Sequence, residues 1–276
     1  MKRIQEDDIE IPGSSEQSKH GVALAIAIIV AWLASLALGL VLSWSWTIAS
    51  VAAMVLIIAV RTFLSTGLFI VSHDAIHGIV APTSRRLNKR LGQVASTLYA
   101  FFPYRKLREK HWDHHRRPGT EDDPDFHGDG GDGFWSWYFA FLRRYADWRQ
   151  FVGFAITYNL LAHVCGVAQF KLWFVWILPA LLSSLQLFYF GTYLPHRRQD
   201  KPFADEHRAR TNRYSTAWSL LTCFHFGYHH QHHRWPMVPW WLLPRVYQQD
   251  AEGVPTLRTG DGRTLKPLPG PSGAMD

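Results

Sequence analysis

The run from Gly21 to Leu42 carries no charged residue, and nothing else in the chain restricts its fold as severely. A helix of about 20 apolar residues crosses a bilayer core, so this run is expected to span one. It is too long for the apolar core of a signal peptide, and no small-residue cleavage pattern follows it. Trp44 and Trp46 stand where such a helix would meet the far interface. A second apolar stretch, 46–71, is interrupted only by Arg61, and two more, 151–168 and 172–194, follow a polar middle segment. Short links pair them. The expected architecture is therefore all-α and integral to a membrane: four transmembrane helices in two hairpins, with a helical cap at one face. Residues 1–20 are expected to be a polar cytoplasmic segment, 21–252 a single membrane domain, and 253–276, which lack a periodic apolar pattern, a disordered tail. Arg61 is expected to snorkel to the headgroups, the alternative being an inward-facing polar contact. Pro179 is expected to bend the last span.

The mean hydropathy of −0.10 averages these spans with polar segments and hides them. With 18% charged residues the chain is not of the disordered class, and two cysteines exclude a disulfide scaffold and a Cys-rich zinc protein. Of 29 Lys and Arg, three precede the first span, 13 lie between residues 80 and 150, and 11 follow residue 195. The positive-inside rule then places both termini and the middle segment in the cytoplasm. The net charge of +7 is explained by apposition to anionic membrane lipid, so no nucleic-acid partner is implied. Within the middle segment, Leu87 to Arg108 reads as a cytoplasmic helix, 118–133 as turns, and Phe134 to Trp148 as an aromatic helix lying in the interface. Trp235, Trp240 and Trp241 suggest a further interfacial contact.

Fifteen histidines need a separate explanation, and they are clustered. His73 and His77 form an HxxxH. His111, His114 and His115 form an HxxHH, as do His229, His232 and His233, and His196 stands alone in YLPHR. Residues three and four apart share one face of a helix, so each box presents its imidazoles together. At this histidine frequency HxxHH should occur by chance roughly 0.04 times, and it occurs twice. His73 and His77 end the second span, His196 ends the fourth, and both HxxHH boxes follow spans, so the expected topology brings all four boxes to one membrane face. Nine imidazoles exceed the about four to six positions around one transition metal and imply two ions. Imidazole suits Zn, Cu, Fe or Ni. A structural zinc site would be closed by four ligands, usually including Cys. The absence of HExxH and of an ExxH pair argues against a metalloprotease and a soluble carboxylate di-iron bundle. Haem would want histidines within the spans, where only His163 lies.

The other histidines carry weaker claims. His225 precedes His229 by four and is a candidate ligand, or a group behind one, if that segment is helical. His230 is expected at the surface, His20 and His207 in solvent, His163 as a satisfied polar group inside the membrane, and His127 in a structural role. Ligating histidines usually donate their second N–H to a carboxylate or carbonyl. Asp74, Asp113, Glu121, Asp122, Asp123 and Asp125 surround the boxes. Asp74 and Asp113, inside them, are the preferred orienting groups; Glu121 and Asp122 are expected to be solvated.

With these residues in view, the sequence resembles the membrane fatty acid desaturase and hydroxylase superfamily, integral-membrane enzymes with histidine-ligated di-iron centres. Within that superfamily its wording is closer to the bacterial β-carotene ketolases. The similar stretches are TGLFIVSHDAIHG (66–78), HWDHHRRPGTEDDPDFH (111–127), FGTYLPHR (190–197) and FHFGYHHQHHRWPMVPWWLLP (224–244). Ile76 departs from the family's frequent Met. The resemblance covers about residues 60–245. It implies two non-haem iron ions on His73, His77, His111, His114, His115, His196, His229, His232 and His233, with dioxygen as cosubstrate. It also implies conversion of the carbon-4 methylene of a β-ionone ring to a ketone, by two hydroxylations and loss of water, yielding echinenone- or canthaxanthin-type ketocarotenoids. Electrons would come from an external donor of ferredoxin type, because the chain has no flavin or nicotinamide motif. The carotenoid would enter from the bilayer of a bacterial cytoplasmic (inner) membrane. Aromatics from Phe134 to Trp148 and around Trp235 are candidates for pocket walls or for interfacial anchors; no substrate-binding residue is assigned. A carotenoid hydroxylase or a fatty acyl desaturase or hydroxylase would share the boxes. A divalent-metal transporter is a remoter alternative, since it needs ligands near the midplane, where the spans offer mainly Asn159, His163 and Gln186.

Overall fold

A computed structural model describes residues 9–128, 131, 133–199, 202–250, 257–265 and 267–268. Strand β1 (Ile9–Ile11) leads into α1 (Ser14–Val41), α2 (Ile48–His77), α3 (Arg85–Ala100) and α4 (Tyr104–Arg116). Helices α5 (Phe134–Tyr145) and α6 (Trp148–Asn159) follow, the latter continued by a π-helical turn at Leu160–Val164. Helix α7 (Gln169–His196) contains two π-helical segments, Leu172–Ile177 and Phe188–Tyr193. Helices α8 (Thr216–Cys223), α9 (His229–Arg234) and α10 (Leu243–Asp250) precede strands β2 (Leu257–Thr259) and β3 (Thr264–Leu265).

Three helices, Ser14–Val41, Ile48–Ile76 and Gln169–His196, are long and apolar enough to cross a membrane. Their outward side chains are large and apolar, including Val30, Leu38, Val55 and Leu56. An apolar solvent is the environment that such faces require. The fourth expected span, 151–168, is instead a helix of 12 residues continued by five of π-helix. That run is shorter than the about 20 residues a bilayer core demands. The segment read as one helix from Leu87 to Arg108 is two, α3 and α4, separated at Pro103 because proline cannot continue the helix before it.

Helix α2 sets the depth of the site. Its 30 residues extend about 45 Å at 1.5 Å each, against a bilayer core of ~30 Å. Its first half exposes apolar side chains, whereas from Ser65 to His77 most residues are buried. The helix therefore continues into protein, and its last turns carry His73 and His77. Gly78, at φ 80°, ends it in the left-handed conformation that glycine adopts without cost. Asn88 fixes that end by donating to the Ala75 carbonyl at 2.7 Å and accepting from the Ala81 N–H at 3.2 Å. Helix α1 runs antiparallel to α2, its Gly21 so close to Val80 that a Cβ would lie 2.3 Å from the Val80 carbonyl oxygen. Thr66 on α2 is hydrogen-bonded to Ser183 at 2.9 Å and Gln186 at 3.0 Å on α7, a polar tie between apolar helices.

Arg61 does not snorkel. It is fully buried, and its guanidinium donates to the carbonyls of Trp32 (2.9 Å) and Val175 and to Ser35 Oγ (3.1 Å). The reason lies in Pro179. Proline has no N–H and clashes with the carbonyl four residues earlier, here that of Val175. The π segment Leu172–Ile177 widens the turn ahead of Pro179, and Arg61 supplies the missing donor. The second π segment precedes Pro195 in the same way. Arg61→Met is expected to cost about 2 kcal/mol by stranding the Val175 carbonyl in an apolar interior, the Trp32 carbonyl keeping the Ser35 hydroxyl. The cost should shrink in a Pro179→Ala background, where residue 179 regains its N–H. Thermal unfolding of the four proteins in detergent checks this; equal Tm losses in both backgrounds would count against the pairing.

The tail is not without order over its described part. β1 pairs in parallel with β2 (Ile9 with Leu257, Ile11 with Thr259), and β2 pairs antiparallel with β3. This sheet rests on a core of Ile11, Tyr228, Trp235, Leu243, Val246 and Leu257. Residues 1–8 of the expected polar N-terminus, 251–252 at the end of the expected domain, and 253–256, 266 and 269–276 of the tail lie outside the described residues.

Candidate metal centre

Four elements deliver nine histidines to one place. Helix α2 contributes His73 and His77, α4 contributes His111, His114 and His115, the last residue of α7 is His196, and α9 contributes His229, His232 and His233. All nine are buried, none more than 8% exposed. Two groups have ligand atoms mutually within 4.8 Å: His73, His77, His111 and His232, and His114, His196, His229 and His233. His115 stands at the seam. Its Nε2 lies 3.1 Å from that of His111 and 3.0 Å from that of His232, and its ring stacks on His233 at 4.4 Å.

Hydrogen bonds alone do not account for this arrangement. The Nε2 atoms of His77, His111, His115, His232 and His73 form a chain with steps of 2.7, 3.1, 3.0 and 3.1 Å. A neutral imidazole nitrogen has either one hydrogen or one lone pair, so an atom touching two others cannot bond to both. A cation facing all the lone pairs resolves the conflict. Two nitrogens bound at ~2.1 Å and at right angles lie ~3.0 Å apart, which is the observed spacing. The same spacing, 3.0 Å twice, links His114, His233 and His229. Burial first, and then the neighbouring imidazoles, push His77, His111, His115, His229, His232 and His233 below the usual histidine range. They are thus neutral at pH 7, the form that binds metal.

The rings are oriented from behind. His73 Nδ1 donates to Asp74 Oδ1 at 3.1 Å, and Asp74 Oδ2 accepts the Trp240 N–H at 3.1 Å. His196 Nδ1 donates to the Arg208 carbonyl at 2.9 Å, leaving a buried Nε2 with no hydrogen-bond partner among the described residues. His114 Nδ1 donates to Asp123 Oδ1 at 2.8 Å. Asp123 also accepts the N–H groups of Gly119 (2.7 Å) and Asp125 (2.8 Å), so the acid-rich turn is wound around one carboxylate. Burial opposes charge on His114, but Asp123 and Asp125 outweigh it and raise its pKa to about 9.

Several sequence expectations change here. Asp113 does not orient a ligand; it lies at the surface and pairs with Arg116 at 3.1 Å and Arg117 at 3.8 Å, because it occupies the face of α4 opposite His111 and His115. Asp123, not singled out from the sequence, has the role expected of Asp113. Glu121 and Asp122 are exposed, as expected. His225 belongs to neither group: Phe224 and His225 have φ of 48° and 64°, so the helix starts only at His229 and the i, i+4 relation is lost. Its ring stacks on Trp240 at 5.9 Å. His207 is buried rather than solvated, beside His230 (6.1 Å) and His233 (6.4 Å). His230 is half-buried and pairs with Asp205 at 2.7 Å. His163 is exposed on the π turn ending the α6 run and makes no described hydrogen bond, so it is not a satisfied interior group. His20 is exposed, and His127 stacks on Trp137 at 6.1 Å.

A cavity of about 460 Å3 opens onto the histidines, with His73, His111, His114 and His229 in its wall. Its remaining lining is largely apolar, including Phe69, Tyr99, Phe102, Phe154, Leu187 and Phe226. The aromatic segment divides between both expected roles: Phe141 and Tyr145 line the cavity, while Trp135, Phe139 and Trp148 are exposed as interfacial anchors would be. Trp235 has neither role, being 2% exposed in the core under the terminal sheet.

Comparison with known proteins agrees with this geometry. The family described as fatty acid desaturase matches residues 49–154 and 142–260. A β-carotene ketolase of Paracoccus sp. (strain PC1) is 43% identical over 239 residues, covering 85% of this chain and 95% of that protein. The β-carotene ketolase of a second Paracoccus strain is 46% identical over 222 residues, 79% of this chain and 88% of its own. The zeaxanthin 4-ketolase of Chlamydomonas reinhardtii is 37% identical over 260 residues, 90% of this chain but 57% of the longer algal protein.

Proposed function

The chain belongs to the fatty acid desaturase family and within it to the β-carotene ketolases, and we propose that its nine clustered histidines hold two iron ions at which the carbon-4 methylene of a β-ionone ring becomes a ketone. The protein is an oxidoreductase. One observation carries the metal assignment: four separate elements aim buried imidazole nitrogens at each other across about 3 Å, at the wall of an apolar cavity. Imidazole donors suit iron among other ions, and the family selects iron.

Bound iron would supply the activation of dioxygen. The chain's own residues do the rest. The cavity admits a ring with no polar group, and its aromatic walls exclude water from the reacting carbon. Asp74, Asp123 and the Arg208 carbonyl hold three imidazoles in the tautomer that presents Nε2. Side chains of α6 and α7, among them Phe151, Phe154 and Leu181, extend the cavity toward the level of the spans, which suits a carotenoid arriving from the bilayer. On this reading the 148–164 run, 12 residues of α-helix and five of π-helix, is a fourth membrane segment at the short end of the range that can cross a bilayer, and it completes the second hairpin. The basic residues around the cap support a site at the cytoplasmic face of a bacterial inner membrane, where a soluble one-electron donor of ferredoxin type would reach it.

Expression in a bacterium that accumulates β-carotene should turn the cells from yellow-orange to orange-red and yield ketocarotenoids in extracts. Unchanged pigment from well-expressed, iron-replete protein would overturn the assignment.

A further inference from the structure

One polar pair stands in the cavity beside the histidines. Asp125 Oδ1 accepts the Tyr145 hydroxyl, and Asp125 Oδ2 lies 3.9 Å from His114 Nε2, the nitrogen that faces the other imidazoles. Both residues line the cavity. The position is fixed from two sides: the Asp125 N–H donates to Asp123 at 2.8 Å and its carbonyl accepts the Trp137 indole N–H at 2.8 Å. Oδ2 makes no hydrogen bond among the described residues. At 3.9 Å its contact with His114 is electrostatic and not a hydrogen bond, so Oδ2 keeps an unused acceptor position in a largely apolar pocket, which is costly, and a β-ionone ring offers it nothing.

The first product of the reaction does. Resting on the ketolase reading, the geometry points to Asp125 as the residue that retains the intermediate: its Oδ2 accepts a hydrogen bond from the hydroxyl left at carbon 4 by the first oxidation. Tyr145 holds the carboxylate in place. The retained alcohol keeps its remaining C–H toward the histidines. In the second oxidation that C–H bond breaks and a C–O bond forms, consuming one dioxygen, two electrons from the one-electron donor and two protons, and giving a geminal diol and one water. The diol then loses a second water as one C–O bond breaks and the other hydroxyl gives up its proton. Asp125 thus decides whether the enzyme releases an alcohol or a ketone.

Two measurements on Asp125→Leu and Tyr145→Phe test this. The second variant keeps its ring packed against Phe141, 4.6 Å away, and releases the carboxylate. In β-carotene-accumulating cells the share of 4-hydroxy product should rise at least about fivefold in Asp125→Leu and less in Tyr145→Phe. In iron-loaded protein in nanodiscs without an electron donor, so that no turnover occurs, tryptophan quenching should show about fivefold tighter binding of 4-hydroxy-β-carotene than of β-carotene by the unaltered chain. That preference should vanish in Asp125→Leu and weaken in Tyr145→Phe. Equal affinities in the unaltered chain, or the full preference in both variants, would overturn the role of Asp125. The binding measurement needs no turnover, so an unaltered chain that leaves β-carotene unoxidised condemns the ketolase reading while the affinities still decide about Asp125.

Discussion

His232→Ala is expected to purify with at most half the iron of the unaltered chain and to lose turnover by more than about 100-fold. That exceeds the loss usually seen when only a group behind a ligand is removed. His232 Nε2 is within 3.1 Å of His73 and 3.0 Å of His115, so its loss leaves two lone pairs facing a void. It also shares α9 with His229 and His233, which belong to the other group, so a single short helix supports both halves of the centre. His115→Ala should behave alike, because His115 touches the first group through His111 and stacks on His233 of the second. Iron measured by chelation after acid release, together with product analysis, checks both variants. Retention of iron and turnover in both would refute the ligand assignment.

The second large effect separates two aspartates. Asp123→Ala should weaken iron retention about 10- to 100-fold, whereas Asp113→Ala should stay within about twofold of the unaltered chain. Asp123 is 1% exposed and is the partner of His114 Nδ1. Without it His114 loses the bond that fixes its tautomer, and the Gly119 and Asp125 N–H groups lose their acceptor. Asp113 sits at the surface among arginines, where ion pairs contribute little. Iron release against a graded chelator at constant protein concentration is the measurement. Equal release from both variants would mean that Asp123 does not hold the ring.

Spacing made the nine histidines legible because helical periodicity is local: i, i+3 and i, i+4 share a face wherever a helix forms. Asp113 and Asp123 could not be ranked in this way. The turn that brings Asp123 under His114 has no period, and Asp113 belongs to the box by sequence but not by face. His225 failed for a related reason, since it is itself left-handed and the helix it seemed to belong to starts only at His229. Arg61 was misread because its partner is a carbonyl freed by Pro179, more than a hundred positions away. The terminal strands are only two or three residues long, too short for alternation to register, and the parallel pair joins positions 248 apart, Ile9 and Leu257.

That pairing bears on the order in which the molecule is made. Translation delivers His73 and His77 first, then the α4 box, then His196, and the three ligands of α9 last. The strand that closes the sheet over α9 emerges after all of them. Until then no group of imidazoles is complete, because each contains at least one residue of α9. Capture of a metal by these groups would therefore be a late act of biogenesis, possible only once the chain has been made through α9, and the enclosure would be finished from the carboxyl-terminal side.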